Sequence, residues 1–296
     1  MTVMSWLAVF LFALKQGGNI INGFVALLGI GAAHLATNLF DDYVDYKKLS
    51  ASPCGFEGAP ASKCSYIRCG DATINELLAA VGGFLLVAFL CGLYLTFVCG
   101  IEVPLLAFLG LVIALLYPFL SARGFSEAAV ALAFGPLLFE GVYFVMCGSF
   151  SGFVFLLSAA IVIFTVILLY VHTLLDFDGD RAAGKKTFCL KFGDKFRALK
   201  FLGVLLIFGY ISALALVFFS GNYYFLLTWV TIPYAIQLYG AIYSYNTDKN
   251  SLPRISYLNF PMEKVATPAF HQRLFLARNL MIYFSILVCL AIVLSN

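Results

Sequence analysis

Apolar runs long enough to cross a bilayer recur along the whole of this 296-residue chain. They lie near residues 2–14, 20–46, 73–99, 103–121, 125–147, 153–175, 195–220, 222–246 and 273–295. The first is short, since about 20 residues are needed to span the hydrocarbon. Only 11% of the residues are charged, against roughly 25% in a soluble domain. No segment is polar enough to form such a domain. Inside a bilayer every backbone N–H and C=O must be satisfied internally, so only helices and closed barrels span it. The runs are continuous rather than alternating, which argues against a barrel. The expected fold is all-α: nine transmembrane helices in a single bundle around a central cavity, forming one domain over 1–296. The first segment has no basic n-region and no small-x-small cleavage site, so it is expected to remain in the mature fold.

Charge placement sets an expected orientation. Every Lys and Arg except Lys15 falls after the second, fourth, sixth or eighth run, or at the ends of the adjoining segments. Basic residues collect on the cytoplasmic side. This predicts a cytoplasmic N-terminus, an outer C-terminus and a bacterial-type inner membrane, with cytoplasmic cap loops at about 47–72 and 176–194. The net charge of +3 has this topological explanation and implies no nucleic-acid partner. Cys54, Cys64 and Cys69 share a loop expected to face a reducing compartment. Their spacing is not CxxC and no His lies among them, so neither a disulfide nor a zinc site is expected.

Against this oily background, the second run ends in "NLFDDYVDYKK", Asn38 to Lys48. On a helix Asn38, Asp41, Asp42 and Asp45 fall at i, i+3, i+4 and i+7, on one face. Like charges so close repel, and desolvating them costs several kcal/mol. A helix end that has left the membrane would explain one such cluster. The sixth run, however, ends in "YVHTLLDFDGDRAAGKKTFCLKFGD", Tyr170 to Asp194. There Asp176 and Asp180 share a face, His172 lies one turn earlier, and Asp178 points away. Acids at a membrane edge are by default a functional-site hypothesis. Oxygen-only donors suit Mg²⁺. Lys47 and Lys48 follow the first cluster; Arg181, Lys185 and Lys186 follow the second. Carboxylate pairs with nearby cations fit a metal-bridged diphosphate. A diphosphate handled in a membrane points to a polyisoprenyl diphosphate, whose tail needs an apolar groove.

These residues resemble the two Asp-rich motifs of the UbiA superfamily of intramembrane aromatic prenyltransferases. Asn38, Asp42 and Asp45 match the first motif; Asp176 and Asp180 match the second, Asp-x-x-x-Asp. The tail "DRAAGKKT" and the segment "RGFSEAAVALAFGPLLFEGVYFV", Arg123 to Val145, are similar to the menaquinone branch, the 1,4-dihydroxy-2-naphthoate polyprenyltransferases. The resemblance is carried by roughly residues 20–220. The chain departs from the family at its start, "MTVMSWLAV", which lacks an Arg-Pro-type motif, and after the first motif, where no clean Gly-x-Asp follows. A Lys common in relatives four residues after the fourth-helix Tyr is here Ser121, which bears on the acceptor pocket around Tyr117.

The resemblance implies that the allylic C–O bond of a polyprenyl diphosphate ionises and that an aromatic acceptor attacks, with loss of a proton and of CO₂ from dihydroxynaphthoate. It implies Mg²⁺ held by Asn38, Asp42, Asp45, Asp176 and Asp180, of which Asn38, Asp42, Asp176 and Asp180 are the candidate catalytic set. Asp41 either substitutes for one of these or is an exposed neighbour. Lys185, Lys186 and Arg181 are candidate diphosphate contacts, or simply part of a positive cytoplasmic loop. Arg68 is a candidate to reach the diphosphate from the cap loop, while Thr73-x-x-Glu76 beside it reads as a structural capping box. Arg123 holds an acceptor carboxylate or snorkels. Tyr117 lines the ring pocket or merely packs. His172 orients a carboxylate, and His34 lies on nearly the same face as Asn38; a satisfied interior histidine is the alternative for both. Glu140, in mid-membrane, requires a partner, and Pro136 just before it predicts a kink.

Other acceptors fit the same motifs: 4-hydroxybenzoate, haem, chlorophyllide or a glycerophosphate lipid. A cation-coupled transporter and a lipid-binding protein without activity are the rivals from other classes. Against a transporter, the acids collect at one membrane face rather than along a pore. The expected partners are the two substrates and the lipid bilayer, with no obligatory protein partner.

Overall fold

The computed structural model describes residues 2–51, 64–182, 184–249, 251 and 269–295. Cys54 and residues 52–63 of the first cap loop lie outside them. The described residues are helical, without strands. Among the described residues, eight helical segments are long and apolar enough to cross a membrane. The expected first span is the shorter apolar helix α1, Thr2–Lys15. The chain divides into two compact units, one built from Ile20–Pro118 and the other from Val3–Asn19 with Phe119–Asn296.

In the Ile20–Pro118 unit, α2 (Ile20–Ala51) packs along α4 (Ile74–Cys99). Gly29 makes this approach possible: a Cβ there would lie 2.9 Å from the Cys91 Cβ. Asn22 Nδ2 donates to Cys99 Sγ at 3.3 Å. Between the two helices lies the short α3, Ser65–Arg68. Thr73 and Glu76 form the expected capping box at the start of α4: the hydroxyl accepts from the Glu76 N–H, and the Glu76 carboxylate accepts from the Thr73 N–H. Helix α5, Glu102–Ala122, begins in this unit.

In the larger unit α8, Gly152–Leu175, is the central helix. It packs against α10 (Lys195–Ser220) and α12 (Ala269–Leu294). It also meets the broken span formed by α6 (Ser126–Leu132), a π turn (Ala133–Leu137) and α7 (Leu138–Cys147). The break is the kink expected at Pro136: Gly135 leaves helical geometry at φ −97° and ψ −113°, pressed against Val162 of α8. Glu140 finds its partner in backbone, since its carboxylate accepts the Ser151 N–H at 3.1 Å where α8 begins. The span Tyr223–Thr247 starts as a 3₁₀ helix and continues as α11, Ile232–Thr247. Buried Arg273 ties α12 to the end of α11, donating to the carbonyls of Ala241 and Ser251 and lying over the Tyr245 ring. Lys15, at the end of α1, donates to Ile292 and Ser295 at the end of α12.

Candidate active site

Each unit carries one acidic motif. In the first, α2 continues unbroken through Asn38, Asp41, Asp42 and Asp45. Their helical register therefore places them on a common face, as the spacing predicts. Asp42 and Asp45 are half-buried and Asn38 is exposed. The cap loop grips Asp42 twice: the Tyr66 hydroxyl donates to Oδ2 at 2.8 Å, and Cys64 Sγ donates to its carbonyl at 3.4 Å. Burial, then the Asp42 carboxylate itself, drive the Tyr66 hydroxyl well above its ordinary pKa, so it stays a donor. Arg68 is exposed two residues further along α3, and Tyr117 lies half-buried on α5.

The second motif is built on a break. Helix α8 stops at Leu175, Asp176 leaves helical geometry at ψ 6°, and a six-residue helix α9, Phe177–Ala182, follows. The Asp180 N–H still donates to the Asp176 carbonyl at 2.8 Å, which keeps the two carboxylates one turn apart. Asp180 is buried, and Lys185 Nζ lies 2.6 Å from its carboxylate. Asp176 is half-buried, with His172 Nδ1 at 4.0 Å. Burial raises the Asp176 carboxyl above the usual range; His172 and Lys185 oppose this and the Asp180 charge adds to it. Asp178 faces elsewhere and pairs with Lys195 at 2.9 Å and Lys249 at 3.0 Å; hydrogen bonds from both hold its carboxyl low. Arg181 is turned to the Gly193 carbonyl and lies over the Phe177 ring.

A glycine brings the backbone of two basic candidates together. Gly124 adopts φ +75°, and a Cβ there would fall 2.4 Å from the Lys186 carbonyl oxygen. Only glycine tolerates both the conformation and the contact. The Arg123 turn is thereby laid against Lys186–Phe188, and Lys191 closes it by donating to the Gly124 carbonyl at 3.1 Å over the Phe125 ring. Arg123 and Lys186 are both exposed. Beneath them, buried Glu127 accepts from Ser126 at 2.9 Å and weakly from Thr173 at 3.4 Å, one turn before Asp176. Thr173 also meets Cys189 Sγ at 3.1 Å. Burial pushes that thiol up to about 12.

Sequence reasoning did not single out Tyr66, Gly124, Glu127, Lys191, Lys195 or Lys249. Glu127 and Gly124 stand within the "RGFSE" stretch, so a signal was present for them. The lysines and Tyr66 gain their meaning only from partners distant in sequence.

The donors fit a hard cation. Both motifs offer oxygen ligands, and the half-buried Asp176 beside Asp180 is a pair of like charges that a cation would relieve. Among the described residues no three His, Cys, Asp or Glu side chains form a ready-made cage. Mg²⁺ does not require one: it usually keeps several waters and takes one or two carboxylates together with substrate phosphates.

The sequence model of the UbiA prenyltransferase family matches residues 2–262. A search of curated protein sequences finds no match. Among solved structures, the chain is similar to the apo form of a UbiA homologue from Aeropyrum pernix K1. The TM-score is 0.69 at 16% identity, over 98% of this chain and 97% of that one. A digeranylgeranylglyceryl phosphate synthase matches at TM-score 0.58 and 14% identity, over 97% and 93%. A UbiA homologue from Archaeoglobus fulgidus bound to GPP and Mg²⁺ matches at 0.51 and 15%, over 96% of each chain. At such identities these likenesses establish the shared fold.

Proposed function

The chain belongs to the UbiA prenyltransferase family, and from that premise we propose that it transfers a polyprenyl group from a polyprenyl diphosphate to an aromatic quinone precursor, 1,4-dihydroxy-2-naphthoate, in a Mg²⁺-dependent reaction of menaquinone biosynthesis. The observation that carries the reading is the second motif: a half-buried Asp176 beside a buried Asp180 with Lys185 against it, at the end of a membrane helix. The acceptor assignment is supported by "RGFSE", "FGPLLFEGVYFV" and "DRAAGKKT". The distribution of Lys and Arg supports a cytoplasmic site in an inner membrane.

In this reading Asn38, Asp42, Asp45, Asp176 and Asp180 would hold Mg²⁺ beside the diphosphate. Bound Mg²⁺ supplies the Lewis acidity that draws electrons toward the leaving diphosphate. Lys185, Lys186 and Arg68 meet the remaining negative charge, and Arg181 fixes the loop through Gly193. Tyr66 keeps the Asp42 carboxylate aimed. His172 orients Asp176 from one turn away. Arg123, next to the Gly124 turn, receives the acceptor carboxylate, and Tyr117 flanks the ring. The reaction would require an apolar groove that keeps solvent from the allylic centre.

The test is an assay of membranes containing the chain with labelled polyprenyl diphosphate, Mg²⁺ and a panel of acceptors. Prenylated naphthoquinol is the expected product. Product only with 4-hydroxybenzoate, haem, chlorophyllide or a glycerophosphate lipid reassigns the acceptor. No prenylated product with any acceptor, together with cation flux in vesicles, replaces the enzyme with a transporter.

A further inference from the structure

Asp178 is the one carboxylate of the second motif that the proposed chemistry does not use. It lies two residues from both Asp176 and Asp180, roughly on the opposite side of the helix. Helix α9, which carries it, has six residues. A helix so short is not stable by itself; its orientation depends on tertiary tethers. The break at Asp176 also cuts it from the rigid axis of α8. Phe177 is buried on one side. Asp178 Oδ2 receives Lys195 Nζ at 2.9 Å from the first residue of α10, and Lys249 Nζ at 3.0 Å from just beyond α11. Two cations, one from α10 and one from the turn that follows α11, thus meet one oxygen. A single tether would resist rolling of α9 only in part; two from separate elements oppose rotation about its axis.

The beginning of α10 is itself fixed. Asp194 caps it, accepting the N–H groups of Phe196 and Arg197 at 3.0 and 3.1 Å. The end of α11 is pinned by the bonds of buried Arg273 to Ala241 and Ser244. Lys195 and Lys249 therefore project from anchored backbone.

We infer that Asp178 is a positioning residue: clamped between Lys195 and Lys249, it sets the rotation of α9 so that Asp176 and Asp180 present their carboxylates together to a metal-bound diphosphate. This rests on the functional reading above. It assigns to Asp178 no contact with substrate.

The experiment uses the full chain, purified in detergent, with radiolabelled inorganic pyrophosphate in equilibrium dialysis across a Mg²⁺ titration. Thermal unfolding is read in parallel. Asp178→Asn should raise the Mg²⁺ midpoint about tenfold, and Lys195→Met or Lys249→Met about threefold each. Because the three act as one clamp, Asp178→Asn combined with Lys249→Met should be no worse than Asp178→Asn alone. Asp178→Glu should restore the midpoint toward wild type. An Asp178→Asn chain that unfolds earlier but titrates like wild type overturns the inference, as does a fully additive double variant. If wild-type protein retains no pyrophosphate at any Mg²⁺ level, the functional reading fails and takes this role with it. If wild type binds, Asp176→Asn does not, and Asp178→Asn is normal, the positioning role alone falls.

Discussion

The two acidic motifs look alike in sequence and are built differently. The first rides on α2, a single helix of 32 residues that carries its carboxylates on an uninterrupted backbone. The second straddles a break between α8 and the six-residue α9. A continuous helix fixes the relative direction of its side chains by register alone. A broken one depends on its neighbours, and the second motif is accordingly surrounded by ionic partners: Lys185 on Asp180, and Lys195 and Lys249 on Asp178. The first motif relies on a hydroxyl, Tyr66 on Asp42, from the cap loop. The difference teaches that equal motifs can have unequal sensitivity to the residues around them, even where their direct ligands matter equally.

The largest expected effect is therefore symmetric. Asp42→Ala and Asp176→Ala should each lower Mg²⁺-dependent prenyl transfer on the order of 10³-fold, with membrane insertion intact. A variant that keeps near-normal turnover removes its motif from the site. Chelation by EDTA should silence wild-type enzyme, and activity surviving thorough chelation contradicts metal bridging.

The supporting residues should then separate the two motifs. Lys185→Met leaves buried Asp180 without its counter-ion. Lys185 is itself 57% exposed, so the loss should be nearer 1–2 kcal/mol than the larger cost of breaking a fully buried pair, or about tenfold in kcat/KM. Tyr66→Phe deletes one hydrogen bond to Asp42 while keeping the ring; about 1 kcal/mol, or roughly fivefold, is expected. A Tyr66→Phe effect exceeding that of Lys185→Met would reverse the comparison.

The smallest effect concerns packing alone. Cys69 beside the first motif's cap loop is exposed, whereas Cys189 beneath the second is buried, its thiol pushed up to about 12. Maleimide at mildly alkaline pH should label Cys69 promptly and spare Cys189 until the protein is denatured. Equal labelling would mean the second motif is not tightly supported.

The membrane character was legible because hydropathy over about 20 residues answers to bilayer thickness, a local property. Helix limits were legible to within a few residues, as were the capping box at Thr73 and the kink at Pro136, since caps and prolines act on their immediate neighbours. The first motif's common face followed from helical period, because α2 runs through it unbroken. Other features were not readable from sequence. Asp178 seemed to face solvent because its partners lie 17 and 71 residues away. Glu140 could be flagged as costly but not matched to the Ser151 N–H. Gly124 lies in a recognisable stretch, yet nothing local announces that Lys186 will press against it.

Sequence by itself determined that this chain is a helical membrane protein bearing two one-turn acidic pairs, because burial of apolar length and helical register are set by residues close in the chain. Only the tertiary structure decided which charges answer which. Lys185 on Asp180, Tyr66 on Asp42 and the two lysines on Asp178 are pairings across loops and helices. Electrostatic partners are chosen by distance in space, and distance in space is what packing supplies.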